Sequence, residues 1–184
     1  MKACSQVILI LAVLLAAGCV SNHSSPNISE SKQQRISTSS IEETTSANEQ
    51  QAKDMLTRLT AAVIAKDVES VAKMLAEDFT VIMTEPGNAM EARYFTKDGY
   101  LELFKARCSA LSEIESERTL LAISTHVGGY IFATTKADGK AIIAGQSEQI
   151  VSNEYIVFRK IDGKDMKIQS VVAELVTYTI EPAK

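Results

Sequence analysis

Two glutamates stand out as groups that could do chemistry, because each one interrupts a segment rich in apolar, strand-forming residues. Glu154 lies in "NEYIVF" and Glu174 lies in "VVAELV". A carboxyl group that loses water on burial has a raised pKa, which suits a general base. Glu85 and His126 stand at the ends of predicted strands, where a solvated turn residue is the simpler interpretation. No Ser-His-Asp order, glycine-rich phosphate loop or metal-ligand spacing accompanies these residues, so the sequence assigns no catalytic residue and predicts neither a metal nor another cofactor.

A different chemistry is indicated at Cys19, which ends the apolar run near the N-terminus. Lys2 and the apolar residues 7–17 have the layout of a secretory signal peptide. The following "LAAGC" resembles the lipobox of bacterial lipoproteins, in which a diacylglyceryl group alkylates the cysteine thiol and cleavage makes this cysteine the first residue. In the plainer alternative, Ala16 and Gly18 are the small residues that an ordinary signal peptidase needs, and Cys19 is incidental.

The lipoprotein interpretation determines where we expect the protein to act. Residues 1–18 are then a lipoprotein signal peptide, and the lipid on Cys19 holds the rest on a membrane, since each buried methylene contributes about 0.8 kcal/mol. Val20 follows the cysteine in place of an aspartate, which resembles the pattern sorted to the outer membrane of Gram-negative bacteria. The expected location is the bacterial cell envelope, lipid-anchored, and on the periplasmic side of the outer membrane if the cell is Gram-negative.

The residues that follow the cysteine are too polar to fold by themselves. Residues 21–50 contain twelve Ser or Thr and no aromatic residue, so burial cannot repay the entropy of ordering them. We therefore expect residues 19–47 to be the lipidated cysteine and a flexible polar tether, and residues 48–184 to be the folded domain. The formal net charge is -4, and no cluster of Lys and Arg is present to neutralise a phosphate backbone, so nucleic acid is not an expected partner.

Three helices and a hairpin are predicted in the first half of the domain. Ser46 and Glu49 have capping-box spacing before a helix whose apolar residues recur at helical intervals. Asp67 is the predicted N-cap of a short second helix, and Thr96 is the predicted N-cap of a third. Between these two helices, "FTVIMT" and "EARYFT" are predicted strands on either side of a turn at 85–90.

The second half of the domain is predicted to be a four-stranded antiparallel meander, because its pattern changes from helical to alternating. The predicted strands are 113–125, 129–137, 140–160 and 164–178. Three dipeptides that favour tight hairpin turns separate them, namely Gly128-Gly129, Asp138-Gly139 and Asp162-Gly163. Within the long third strand, Gly145 is predicted to mark a bulge or kink.

This order of elements resembles the nuclear transport factor 2-like superfamily, which includes SnoaL-like polyketide cyclases and ketosteroid isomerases. The residues that carry the resemblance are "KDVESVAKMLAEDFTVI", "TKDGYLELFK" and "YIVFRKIDGKDMKIQSV". The match is one of layout and pattern and includes no catalytic motif. It implies an α+β, cone-shaped fold in which helices pack on a curved antiparallel sheet around a pocket, and it implies homodimers that pair through their sheets.

A two-residue turn at Asp162-Gly163 sets the predicted register of the last hairpin, with Tyr155 opposite Ser170. Five residues then share one face, which we expect to lie beneath the helices as the lining of a candidate pocket: Tyr155, Met166, Ile168, Val172 and Glu174. Glu174 is the expected polar group of this pocket, and Glu154 is expected to point to the other face. Both faces carry apolar residues, so we expect helices to cover one face and a partner subunit to cover the other.

Three functions are compatible with these observations. The preferred one is an envelope lipoprotein that binds a small apolar ligand or an envelope protein without catalysis. One alternative is a SnoaL-like cyclase, isomerase or hydrolase that uses a single pocket carboxylate, and another is an accessory or assembly subunit of an envelope complex. Binding is preferred because the sequence offers no acid and base on one face. The expected partners are therefore the membrane, a small apolar ligand and a second copy of the chain.

Overall fold

The structure is a computed structural model in which residues 38–85 and 88–182 are described, with side chains described for 47–84 and 92–182. The predictions for the signal peptide, for Cys19 and for the tether residues before 38 fall outside these ranges, and so does the side chain of Glu85. Among the described helices, none combines the length and the apolar character needed to cross a membrane.

The described residues form three helices: α1 (Thr38–Ile64), α2 (Val68–Met74) and α3 (Lys97–Ala110). Both predicted caps on the shorter helices are confirmed. The backbone N–H of Ser70 donates to the Asp67 carboxylate at 3.0 Å, and the backbone N–H of Gly99 donates to the Thr96 hydroxyl at 3.5 Å. These short side chains satisfy N–H groups that the first turn of a helix leaves without partners, so α2 and α3 begin where the local sequence predicts.

The predicted cap of the first helix at Ser46 is wrong, because α1 begins earlier, at Thr38. Residues 38–64 contain neither Pro nor Gly, so nothing in the local sequence stops the helix at the polar residues that precede Asn48. The side chains of 38–46 are not described, and the division between tether and domain at residues 47 and 48 stays a prediction.

Six strands follow in a single mixed sheet. Their bounds are β1 (Leu75–Glu85), β2 (Asn88–Thr96), β3 (Leu111–Thr125), β4 (Ile131–Ile143), β5 (Gln146–Ile161) and β6 (Asp165–Pro182). The spatial order is β2-β1-β6-β5-β4-β3. Neighbours pair antiparallel except β1 and β6, which are parallel. The predicted α+β fold, with helices on a curved sheet, is confirmed. The sheet is mixed and not wholly antiparallel as predicted, because β1 joins the first hairpin to the meander by pairing parallel to β6.

The turn between β4 and β5 lies at Ala144-Gly145, so the predicted turn at Asp138-Gly139 and the predicted bulge at Gly145 are wrong. Strand β4 continues through Asp138 and Gly139, which pair with Glu117 and Ser116 of β3. A turn at 138–139 would have ended β4 there and left the first half of β3 without its β4 partner. Unpaired backbone groups in a sheet are costly. The length of β3 therefore decides where β4 ends.

Ala144 has a φ of 51° and Gly145 has a φ of 78°, which are values typical of a type I′ hairpin turn. An L-residue other than Asn or Asp is disfavoured at positive φ. We expect Ala144→Asn to stabilise the domain by about 0.5–1 kcal/mol, measured as a rise in the urea midpoint. Asp138→Asn is the matched control, since it creates the same Asn-Gly dipeptide within β4. A gain from the control and none from Ala144→Asn would contradict this turn assignment.

The last hairpin differs from its predicted register at two points. Ile161 pairs with Asp165, so the loop is the three residues 162–164, and Tyr155 pairs with Val172 in place of Ser170. Between these pairs, Phe158 lies opposite Ile168 and Val157 lies opposite Ser170, which leaves Gln169 as an extra residue in a β-bulge. A bulge reverses the alternation of side chains beyond it.

The core lies between the three helices and one face of the sheet, which we call the inner face. Tyr100 and Phe104 of α3 and Leu59 and Val63 of α1 are at most 2% exposed. The ring of Tyr100 meets that of Phe79 edge-on, with centroids 5.5 Å apart. The opposite, outer face carries side chains that are half-buried or exposed along all six strands.

Candidate functional site

The buried carboxylate of Glu154 is the centre of a polar cluster on the inner face. Arg118 of β3 donates from Nε to Oε2 at 2.9 Å and from Nη2 to Oε1 at 3.3 Å. The Thr135 hydroxyl of β4 donates to Oε2 at 2.9 Å. Arg118 also donates from Nη1 to the Thr60 hydroxyl of α1 at 3.0 Å. Glu154 and Thr135 are 0% exposed, so the cluster joins three strands to α1 out of reach of bulk water.

Electrostatics within this cluster are set by burial. The loss of hydration raises the pKa of Glu154, and the charge and hydrogen bonds of Arg118, with the hydrogen bond of Thr135, oppose that rise. Tyr100 is wholly buried nearby, and its pKa is raised well above the ordinary value by burial and by the charge of Glu154. Its hydroxyl has no hydrogen-bond partner among the described residues. Because both carboxylate oxygens accept hydrogen bonds from Arg118, a substrate can reach this carboxylate only after that contact opens.

A second buried ion pair lies further along the inner face of β5. Arg107, near the end of α3, donates from Nη2 to Oε2 of Glu148, and both side chains are at most 5% exposed. The hydroxyl group of Tyr178 on β6 is affected by this pair: burial, followed by the charge of Glu148, raises its pKa to about 12. Strand β5 therefore carries two buried carboxylates, each neutralised by an arginine from a different element, which is the arrangement that buried charges require.

The five residues of the predicted pocket do not share a face. Met166 and Ile168 are buried on the inner face, whereas Tyr155 is 44% exposed on the outer face, with Val172 as its strand partner. Glu174 is also on the outer face and exposed. The prediction of a common lining is wrong because the bulge at Gln169 separates the two sets. Its choice of face is wrong because the helices cover the face that carries Glu154.

The remaining chemical candidates lie at or near the surface. The Glu174 carboxylate accepts a hydrogen bond from the Tyr155 hydroxyl at 3.4 Å. His126 is exposed after β3, with its ring 4.6 Å from that of Phe132, centroid to centroid. Cys108 is half-buried, and burial raises the pKa of its thiol, which is the reverse of what an activated nucleophile needs. No three His, Cys, Asp or Glu side chains within 38–85 and 88–182 are placed to hold a metal ion.

A groove of about 1020 Å³ lies at the surface between α1, α2 and the β5–β6 loop. Met55, Met74 and Met166 line it together with charged side chains of both signs, Asp54 and Lys167 among them. Met166 is thus the one residue of the predicted pocket that lines this groove. Its mixed charges indicate no single ligand class.

The outer face carries an uncharged surface that crosses the whole sheet. One row of paired residues runs through Tyr94, Ile82, Val172, Tyr155, Thr134 and Ala122. The adjacent row runs through Thr96, Thr80, Ser170, Val157, Phe132 and Ser124. We call these two rows the outer-face strip. Tyr94, Tyr155 and Phe132 are 60%, 44% and 43% exposed, which makes the strip the largest group of exposed aromatic side chains on the described sheet.

No family model matches the sequence, and a search of curated proteins finds no relative. Solved structures of similar architecture are known. A LinA type 2 hexachlorocyclohexane dehydrochlorinase aligns with a TM-score of 0.63 at 14% identity, over 79% of this chain and 95% of its own. A nuclear transport factor 2-like protein of unknown function in nutrient uptake, from Rhodospirillum rubrum, aligns with a TM-score of 0.54 at 16% identity, over 68% of this chain and 98% of its own. The chain has a nuclear transport factor 2-like fold.

A ketosteroid isomerase-like protein from Erwinia carotovora atroseptica shares this nuclear transport factor 2-like fold, with a TM-score of 0.54 at 12% identity, over 68% of this chain and 93% of its own. These likenesses establish the fold alone. The same fold serves an enzyme, the dehydrochlorinase, and a protein of unknown function, so function has to be argued from the site.

Sequence interpretation of this nuclear transport factor 2-like domain missed both arginines that hold the buried carboxylates. A signal was present for one of them. Arg118 stands in step with Ile114 and Leu120 in the alternation of β3, which places an arginine on the face of apolar residues. A cation at such a position is stable only beside an anion, and Glu154 is the anion that the fold brings to it.

Proposed function

We propose that this protein is a lipid-anchored protein of the bacterial cell envelope, and that its nuclear transport factor 2-like domain is a non-catalytic binding module. Its binding surface is the outer-face strip. The observation that carries the proposal is the exposure of Tyr94, Tyr155 and Phe132 on a strip that holds no charged residue. Exposed aromatic groups of this kind mark interaction surfaces, since leaving them in water is unfavourable.

The partner on this strip is a second copy of the chain. A two-fold interface places the same patch on both subunits, so that patch has to be complementary to itself. The two rows contain hydroxyl, aliphatic and aromatic side chains and no Asp, Glu, Lys or Arg, and therefore two copies can meet without opposing like charges. Outside the strip the outer face becomes charged, with Glu174 beside Asn153 and Lys136 in the next row, which gives the interface a polar rim.

Anchoring is the second part of the proposal, and it rests on the sequence around Cys19. An apolar stretch, small residues before the cysteine and a polar segment after it support lipidation of that thiol. The anchor places the domain at the envelope membrane, where a homodimer gains a second set of acyl chains. Dual attachment makes membrane binding more persistent than attachment through one subunit.

The proposed interface is tested by a charge at its centre. Tyr155→Glu should raise the dimer dissociation constant at least about 100-fold, because an unpaired carboxylate buried in the interface costs on the order of 3 kcal/mol. Sedimentation of the full lipidated chain in detergent measures the association. Ile64→Glu is the matched control, since Ile64 is 43% exposed but lies at the end of α1, away from the strip.

A protein–protein interface of standard size keeps its subunits associated at a protein concentration of ~10⁻⁵ M. A wild-type chain that sediments as a monomer at that concentration contradicts the homodimer. Equal dissociation by Tyr155→Glu and Ile64→Glu contradicts the proposed interface as well. A different envelope protein that co-purifies with the wild type, and is lost from Tyr155→Glu, supports the binding module. In that case the partner on the strip is this protein and not a second copy of the chain.

The alternative function is a SnoaL-like cyclase, isomerase or hydrolase that works through one interior carboxylate. The observation in its favour is the Tyr100 hydroxyl, which is buried without a hydrogen-bond partner among the described residues and lies within the electrostatic influence of Glu154. For this function Arg118 has to release Glu154 and admit a substrate between carboxylate and hydroxyl. A substrate analogue bound between Tyr100 and Glu154, with the Arg118 contact broken, is the result that favours the enzyme over the binding module.

A further inference from the structure

The hairpin that joins β3 to β4 has an uncharged, apolar tip. Residues 119–135 contain no Asp, Glu, Lys or Arg, although 23% of the chain is charged. At the tip, Val127 is fully exposed and Tyr130 is 38% exposed. Gly128 and Gly129 have φ values of 87° and 78°, and the backbone N–H of His126 donates to the carbonyl of Tyr130 at 2.8 Å. The turn therefore holds an apolar side chain out into the surrounding medium.

The course of α1 shows which end of the domain carries this tip. Near one end of the helix, the Thr125 hydroxyl donates to Glu49 at 3.4 Å. Near the other, the Lys66 ammonium group donates to the carbonyl of Leu111. Because Thr125 and Leu111 are the two ends of β3, α1 runs antiparallel to β3, and its N-terminal part lies at the tip. The chain thus enters the domain at the end that carries Val127.

The length of chain before the helix links this end to the proposed anchor. Helix α1 continues N-terminally from Glu49 to Thr38, which adds about 16 Å at 1.5 Å per residue. The sequence predicts a flexible tether after Cys19, and a flexible chain as long as the segment from Cys19 to Thr38 spans about 24 Å. A lipid on Cys19 therefore keeps the entry end of the domain, and with it the hairpin tip, nearer to the bilayer than the opposite end of the sheet.

We infer that the β3–β4 hairpin tip, Val127 with Tyr130, inserts into the headgroup region of the anchoring membrane and fixes the orientation of the domain on it. An apolar side chain beside a tyrosine suits the boundary between headgroups and acyl chains, where the ring of Tyr is buried and its hydroxyl stays hydrated. The inference rests on the proposed lipid anchor. The hairpin tip adds a second, reversible contact with the membrane. In this orientation the outer-face strip points sideways, parallel to the membrane plane, and stays free for a partner.

The test compares two labelled positions in the full lipidated chain. Val127→Cys and Ala144→Cys, each combined with Cys108→Ser, carry an environment-sensitive fluorophore on protein reconstituted into phosphatidylethanolamine–phosphatidylglycerol vesicles. Ala144 is exposed in a turn at the opposite end of β4, so it is a matched control. Spin-labelled lipids should quench the label at position 127 at least about threefold more than the label at 144, since interfacial insertion buries a residue several ångströms deep. A third position, Tyr130→Cys, should follow position 127.

Two failures are distinguishable. Protein that floats with the vesicles but is quenched equally at 127 and 144 overturns the inference and leaves the anchor intact. Protein that carries no lipid and does not float overturns the proposed anchor, and the inference with it.

Discussion

Replacement of Arg118 by methionine is expected to destabilise the domain by about 3–5 kcal/mol, the cost of leaving a buried carboxylate without its cation. Arg118 supplies two hydrogen bonds to Glu154 and one to Thr60, and methionine supplies none of them while keeping a similar apolar length. Urea unfolding followed by circular dichroism measures the change, because a lower midpoint at constant slope reports stability alone.

The pH dependence of this variant has a definite sign. Burial raises the pKa of Glu154, and Arg118 opposes that rise, so removal of Arg118 moves the folded-state pKa further above the value in the unfolded chain. Between those two values the folded state binds more protons than the unfolded state, and stability falls as pH rises through the window. Relative to the wild type, Arg118→Met should therefore regain stability as pH is lowered from neutral toward the ordinary pKa of a glutamate.

Two further variants control this experiment. Arg58→Met makes the same chemical change at an exposed position of α1, where we expect an effect within about 0.5 kcal/mol. Arg118→Met combined with Glu154→Leu removes both charges and should recover much of the lost stability, because an apolar pair of similar volume replaces a buried ion pair at little cost. A double variant as unstable as the single one, with no pH dependence in either, would show that the Glu154 charge is not what Arg118 stabilises.

Substitution of Cys19 by alanine is expected to abolish membrane attachment altogether. The thiol is the only atom in the "LAAGC" segment that can accept the diacylglyceryl group, and a chain without acyl groups loses the apolar burial that holds a lipoprotein on a bilayer. Cells grown with radioactive palmitate should label the wild type and leave Cys19→Ala unlabelled. Detergent phase partition should move the variant from the detergent phase to the aqueous phase.

Cys108→Ala is the matched control for the anchor, since it removes the half-buried cysteine of α3 and leaves Cys19 in place. It should retain both the label and the detergent partition. Equal labelling of the wild type and Cys19→Ala would refute lipidation at this position.

Local sequence determined the features of this protein that depend on a few neighbouring residues. Asp67 and Thr96 cap α2 and α3 as predicted, because each bonds an N–H group only three residues away. The change from helical to alternating pattern after α3 identified the strands, and their order indicated the fold. The apolar run and cysteine at the N-terminus likewise predict an anchor from adjacent residues alone.

Only the tertiary structure decided the features that depend on distant partners. Arg118 and Glu154 are 36 residues apart, and Arg107 and Glu148 are 41 apart, so no local pattern pairs them. The dipeptides at 138–139 and 144–145 both end in glycine, and the chain turns at the second because β3 is long enough to pair with all of β4. The bulge at Gln169 divides Met166 and Ile168 from Val172 and Glu174. Side chains in a strand alternate with a period of two, so one extra residue, accommodated by pairing with β5, reverses which of them face the helices.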